Sequence, residues 1–135
     1  MRKLPKIVTG RFLESLQACD SAVDEFNVHW PRGAMVTKEN IYQALQLQLD
    51  VTWFLQEVYY CIVGKAMPGS FWYLRTVDRI DNTFYSHHDK ALELKSLTEQ
   101  RKAITAARVK ADRKEAAAAM KLWRWLKAEQ GRRLR

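Results

Sequence analysis

The chain predicts an all-α fold: a compact N-terminal helical bundle followed by a long basic C-terminal helix. Three observations carry that reading. Glycine and proline are scarce, five and three in 135 residues, which leaves little room for long loops. Apolar side chains recur at helical spacing between residues 19 and 62. From Phe71 to Gln130 there is neither Gly nor Pro, a stretch that would reach roughly 90 Å as one unbroken helix at 1.5 Å per residue. Hydrophobic residues at 47% and aromatics at 11% suffice to pack a core and argue against wholesale disorder.

Residues 1–9 read as extended, with Pro5 and the short Ile7-Val8 run, and residues 11–17 as a short helix using Phe12, Leu13 and Leu16. Cys19, Val23, Phe26 and Trp30 fall on one face of a second helix, which Pro31 ends in a Pro31-Arg32-Gly33 turn. Thr37 is placed to cap a third helix carrying Ile41, Ala44, Leu45 and Leu49. Asp50 is placed to cap a fourth, with Val51, Phe54, Leu55, Val58 and Ile62 inside and Trp53 filling the core; Gly64 and Met67-Pro68-Gly69-Ser70 close it. In the long Gly- and Pro-free run, Ser86-His87-His88 are poor helix formers between two compositions, so the break is expected there. Trp72, Arg75, Val77, Ile80 and Phe84 precede it on a helix packed against the domain.

Charge divides the chain at the same point. Residues 1–86 hold nine Lys/Arg and nine Asp/Glu, whereas residues 87–135 hold fourteen and six, so the whole net charge of +8 lies in the C-terminal part. The organisation expected is a neutral helical domain, 1–86, and a basic helical arm, 87–135, packed on that domain or on a second copy. A thin seven-residue repeat of Leu97, Ile104, Ala111, Ala118 and Trp125 is a weak coiled-coil signal, because Arg101 and Arg108 take companion positions. The run Ala116 to Ala119 suits close packing on another helix.

Leu13, Leu16, Ala18, Cys19, Ala22, Phe26, Trp30-Pro31, Gly33, Val36-Thr37, Asn40, Ala44, Leu49-Asp50 and Trp53 form a pattern over residues 13–55. It resembles a short helical segment found in small, uncharacterised proteins of bacteriophages and other mobile elements. The resemblance covers about a third of the chain and brings no catalytic residues with it. It implies a phage accessory protein acting in the cytoplasm of a bacterial host.

No stretch carries recognisable catalysis, so a non-enzyme without cofactor is expected. Adjacent His87 and His88 would point about 100° apart on a helix, which does not suit one metal ion. Asp78 and Asp81 share a helix face, yet Arg75 and Arg79 beside them favour ordinary surface ion pairs. Cys19 and Cys61 read as buried thiols of a cytosolic protein. There is no glycine-rich phosphate loop, no apolar stretch after the basic N-terminus as a signal peptide would need, and no run of about 18 apolar residues to span a membrane.

The basic arm is the strongest functional signal. Candidate partner-binding residues are Arg108, Lys110, Arg113, Lys114, Lys121, Trp123, Arg124, Trp125, Lys127, Arg132 and Arg133. At 100° per residue Leu122, Trp123, Trp125 and Leu126 fall within about 160°, with Lys121, Arg124 and Lys127 opposite. Such a segment can dock on its own domain or in a homodimer, bind another protein through Trp and Arg, contact nucleic-acid phosphates, or lie on a membrane surface; the short apolar face disfavours the last. The function expected is a non-enzymatic phage accessory protein that binds and modulates a bacterial protein or nucleoprotein complex, an anti-CRISPR-like inhibitor being the specific form. The alternative is direct nucleic-acid binding by the basic helix.

Overall fold

A computed structural model describes residues 3–135 and is all-α apart from one short ladder. The described elements are β1 (Ile7–Val8), α1 (Gly10–Ser15), α2 (Asp20–His29), β2 (Ala34–Met35), α3 (Lys38–Gln46), α4 (Val51–Val63), α5 (Trp72–Ala91) and α6 (Leu97–Arg133). β1 and β2 pair antiparallel, Ile7 with Met35 and Val8 with Ala34. Gly33 enters β2 at φ +88, and a Cβ there would sit 2.8 Å from the Val8 carbonyl oxygen, so the close approach requires glycine.

The helix starts are set by side-chain caps that satisfy otherwise orphaned N–H groups. Thr9 Oγ1 accepts from Phe12 N at 3.1 Å, Thr37 Oγ1 from Asn40 N at 3.1 Å, Asp50 Oδ1 from Trp53 N at 2.9 Å and Ser96 Oγ from Glu99 N at 3.0 Å. α4 ends on left-handed Gly64. α1 and α3 end the same way without glycine: Gln17 and Gln48 take φ 66 and 61, and the next residues close back with Ala18 N to Leu13 O at 3.1 Å and Leu49 N to Ala44 O at 3.0 Å.

α5 does not break at Ser86-His87-His88. It runs on to Ala91, and the chain turns over residues 92–96 instead. Phe84 and Ala91, both buried, tie this part of α5 down, so tertiary packing overrides the weak propensities of Ser and His. α5 and α6 then form an antiparallel hairpin. Arg108 lies over the Phe84 ring at 3.7 Å, and Lys121 stands 5.2 Å from the Trp72 ring. The hairpin has its own apolar cluster of Ile80, Phe84 and Ala111, with Ile104 and Ala107 against it.

α6 is a wall of the main core rather than a projecting arm. It packs along α5, α3 and α4. Ala116, Ala119, Leu122, Trp123 and Leu126 are buried in one cluster with Leu55, Val58, Tyr59, Tyr73 and Val77. Trp123 stacks on Phe54 with centroids 6.0 Å apart, and Trp125 stacks on Tyr59 at 6.1 Å and meets Phe71 edge-on at 5.5 Å. The Leu4 N–H donates to Gln130 Oε1 at 2.8 Å, tying the N-terminal segment to the end of α6.

This packing predicts a sharp contrast along one turn of α6. Leu126→Ala should cost about 2–5 kcal/mol and Trp123→Ala about 3–5 kcal/mol in urea unfolding, while Arg124→Ala should stay within about 0.5 kcal/mol. A Trp123→Ala protein as stable as the parent would show that α6 is not part of the core.

Candidate functional site

α6 separates its charges by side. At 3.6 residues per turn, Lys102, Lys110, Arg113, Lys114, Lys121, Arg124, Lys127 and Arg132 fall within an arc of about 140°, and all are exposed. From Lys102 to Arg132 they run about 45 Å along the helix. The acidic residues of the same stretch, Asp112, Glu115 and Glu129, lie outside that arc. Asp112 is 3% exposed and the Glu129 side chain 14% exposed. Between Lys102 and Arg132 this arc of α6 therefore carries cations and no acid of its own.

The sequence-predicted residues divide into three groups. Lys110, Lys114, Arg124 and Lys127 are exposed and make no ion pair among the described residues. Arg108, Arg113, Arg132 and Arg133 are engaged within the protein, and Lys121 lies against Trp72. Arg108 sits between the Phe84 ring and Asp112, its Nη1 3.8 Å from Oδ1. Arg113 donates to Glu39 at 2.8 Å while lying 3.5 Å over the Tyr42 ring, and Arg132 and Arg133 both bind Glu129. Trp123 belongs to the core and is only 3% exposed, so it presents no aromatic face to a partner in this fold, whereas Trp125 is half-buried at the edge of the core against Tyr59 and Phe71.

Inside α6 lies a polar network that sequence reasoning missed. Gln46 Nε2 on α3 donates to Asp112 Oδ2 at 2.6 Å. Thr52 on α4 shares a 3.3 Å hydrogen bond with the Tyr73 hydroxyl on α5 and donates to Glu115 at 3.5 Å. Burial, reinforced by the negative charges of Asp81 and Asp112, pushes the Glu115 carboxyl up to about 7. Burial also raises Asp112 against its Gln46 hydrogen bond, and raises Asp81 against the nearby Arg108. Asp81 thus faces α6 rather than pairing with Arg75 or Arg79 at the surface. The legible signal was the i,i+4 pair Arg108–Asp112 on a face that also carries Glu115.

A second feature is a cleft of about 440 Å³ walled by β1, α1, α2, β2, α3 and α4. Its lining includes Leu13, Ala18, Cys19, Ala22, Phe26, Trp30, Val36, Asn40, Ala44, Leu49, Asp50 and Trp53, all positions of the sequence pattern over residues 13–55. Trp53 is half-buried, packing against the core with part of its surface lining this cleft. The cleft exists because Ala18, Ala22, Ala34 and Ala44 stand where larger side chains would close it. As a sealed void of that size it would cost about 10 kcal/mol at roughly 24 cal/mol per Å³, close to the whole stability of a domain. It is a preformed opening in the surface, not a packing defect.

Both cysteines are exposed, contrary to the buried thiols expected, because Cys19 is the N-cap position of α2 and Cys61 faces outward on α4. The Ser21 hydroxyl, 3.5 Å from Cys19 Sγ, holds that thiol below its ordinary value. Among the described residues, no group of three His, Cys, Asp or Glu side chains converges as a metal site, and no helix is long and apolar enough to cross a membrane. Comparison with protein-family models, with curated proteins and with solved structures finds no match to the chain.

Glu115 gives a pH dependence of defined sign. Its folded value of about 7 exceeds the 4.5 of an ordinary Glu, so the folded state binds more protons between the two. The stabilisation is complete below about pH 4.5 and is lost as pH rises through 7. With allowance for solvent screening the effect amounts to about 1 kcal/mol. Urea unfolding from pH 5 to 8 should show this decline, and Glu115→Gln should flatten it. An unchanged slope in the variant would remove Glu115 as its cause.

Proposed function

We propose that the protein acts by binding, without catalysis, and that the exposed cationic face of α6 engages the phosphates of a nucleic acid. The observation that carries this reading is the absence of acidic residues from that face over the roughly 45 Å from Lys102 to Arg132, while Asp112 and Glu115 turn toward the protein and Glu129 is held by Arg132 and Arg133. Lys110, Lys114, Arg124 and Lys127 are the residues best placed for it. A uniform row of cations neutralises phosphates without regard to sequence, so the binding is salt-dependent and indifferent to base identity. The burial of Trp123, and the stacking of half-buried Trp125 on Tyr59 and Phe71, engage within the fold the aromatic anchors on which a protein-directed contact would rest, and so favour nucleic acid over a purely protein partner.

In the setting that the resemblance implies, the nucleic acid belongs to a bacterial nucleoprotein complex. A phage accessory protein occupying it would modulate that complex, and an anti-CRISPR-like inhibitor is the specific form of the proposal.

Fluorescence anisotropy with a duplex of about 20 base pairs tests the binding. Affinity should fall roughly 10²–10³-fold between about 50 and 200 mM salt if four to six phosphates are contacted. The triple substitution Lys110→Glu, Lys114→Glu and Arg124→Glu should abolish binding with little change in melting temperature. No binding at about 50 mM salt, or full binding by the triple variant, would overturn the reading.

A further inference from the structure

We infer that the cleft walled by α1 to α4 and the β1–β2 ladder is a binding site for a small, uncharged aromatic molecule. This goes beyond the cationic face, with which it shares no residue.

Size and enclosure define the occupant. The volume of about 440 Å³ lies within the range of small-molecule sites, roughly 300–1,000 Å³. Six elements contribute to the wall, so the space is lined from several directions rather than by one helix face. A compact molecule of two or three rings matches it.

The chemistry of the lining sets the polarity. No Lys, Arg or His is among the residues around the cleft, so it offers no counter-charge to an anion. Its carboxylate, Asp50, is engaged in capping α4, with Oδ1 accepting from Trp53 N at 2.9 Å. The Asn40 amide donates to the Met35 carbonyl at 2.8 Å. A charged ligand would lose its hydration there without compensation. Phe26, Trp30, Trp53 and Phe54 supply ring faces instead, and the Phe26–Trp30 pair is already set at 5.1 Å between centroids.

The alanines set the shape. Ala22 on α2 and Ala44 on α3 approach the space from separate helices, and a branched side chain at either would occupy it.

The test uses the full chain and N-phenyl-1-naphthylamine, an uncharged aromatic dye. Titration should give saturable, single-site enhancement of dye emission with quenching of tryptophan emission. Ala22→Leu and Ala44→Leu should each weaken binding at least about tenfold without lowering the melting temperature, since the added methyls enter existing space. The triple variant of the cationic face should bind the dye as the parent does, so failure of the nucleic-acid reading leaves this test intact. If neither leucine variant folds, methyl NMR of the parent protein decides: shifts on adding dye at Ala22, Ala34 and Ala44 support the site, and shifts confined to other methyls overturn it. Unsaturable binding, or parental affinity in folded leucine variants, would also overturn it. So would light scattering showing a dimer whose formation expels the dye, which would make a second copy the occupant.

Discussion

The structure depends on burying one side of a single 37-residue helix. The Ala-, Lys-, Arg- and Glu-rich sequence of this helix favours helix formation by itself, but its place in the fold comes from the apolar stripe it lays against other elements. In α6 that stripe is made of Ala111, Ala116, Ala119, Leu122, Trp123 and Leu126. The small residues let α6 approach closely, and the large ones fill the space between α4 and α5. Trp123 on Phe54 and Trp125 on Tyr59 join α6 to α4 through ring faces. The other helices have no comparable common partner. α6 meets α3, α4 and α5, so removing it would leave each of them with an uncovered face.

That constraint also explains the charge distribution. A helix buried on one side can place acids in two environments, and α6 places Asp112 and Glu115 at the edge of the buried one. There they meet Arg108, Gln46 and Thr52, which satisfy their oxygens where water does not reach freely. The desolvation cost appears as the raised Glu115 carboxyl. What remains outside, from Lys102 onward, is a face with cations and no acid in its own row. Much of the charge contrast is therefore a by-product of how the acids are used to join α3, α4 and α5 to α6.

Local chemistry made much of the fold legible in the sequence. Thr37 and Asp50 cap the helices they precede, Gly64 ends α4 in the left-handed region, and Pro31 and Gly33 turn the chain into β2. The break before α6 was misplaced because Ser86-His87-His88 looked weak by propensity, whereas the decisive signal was Ser96 with Glu99 three residues on. The amphipathic pattern at Leu122 to Lys127 was visible, but a pattern cannot say whether an apolar face is covered by the same chain. For Trp123 the covering residue is Phe54, distant in sequence and brought there only by the tertiary fold. The cleft was hidden for a similar reason. Ala44 reads as part of a buried helix stripe, Ala18 and Ala22 stand only in the pattern over residues 13–55, and Ala34 carries no signal; only their convergence from separate elements reveals the missing volume.

Whether such a cleft stays open depends on whether its walls can collapse inward. Here the walls are held from outside. Phe54 lines the cleft and also stacks on Trp123, so α4 cannot close over the space without giving up its contact with α6. Gly10 at the start of α1 lies directly against the Asn27 side chain of α2 on the wall that those two helices share. Gly33 sets β2 against β1 at backbone distance on the remaining side. Left-handed Gln17 and Gln48 direct the chain so that Ala18 and Leu49 face the opening, a conformation that costs a non-glycine residue about 1–2 kcal/mol. The same α6 packing that supports the core thus keeps an apolar space open on the far side of α4, and the fold carries two chemically opposite surfaces on one framework.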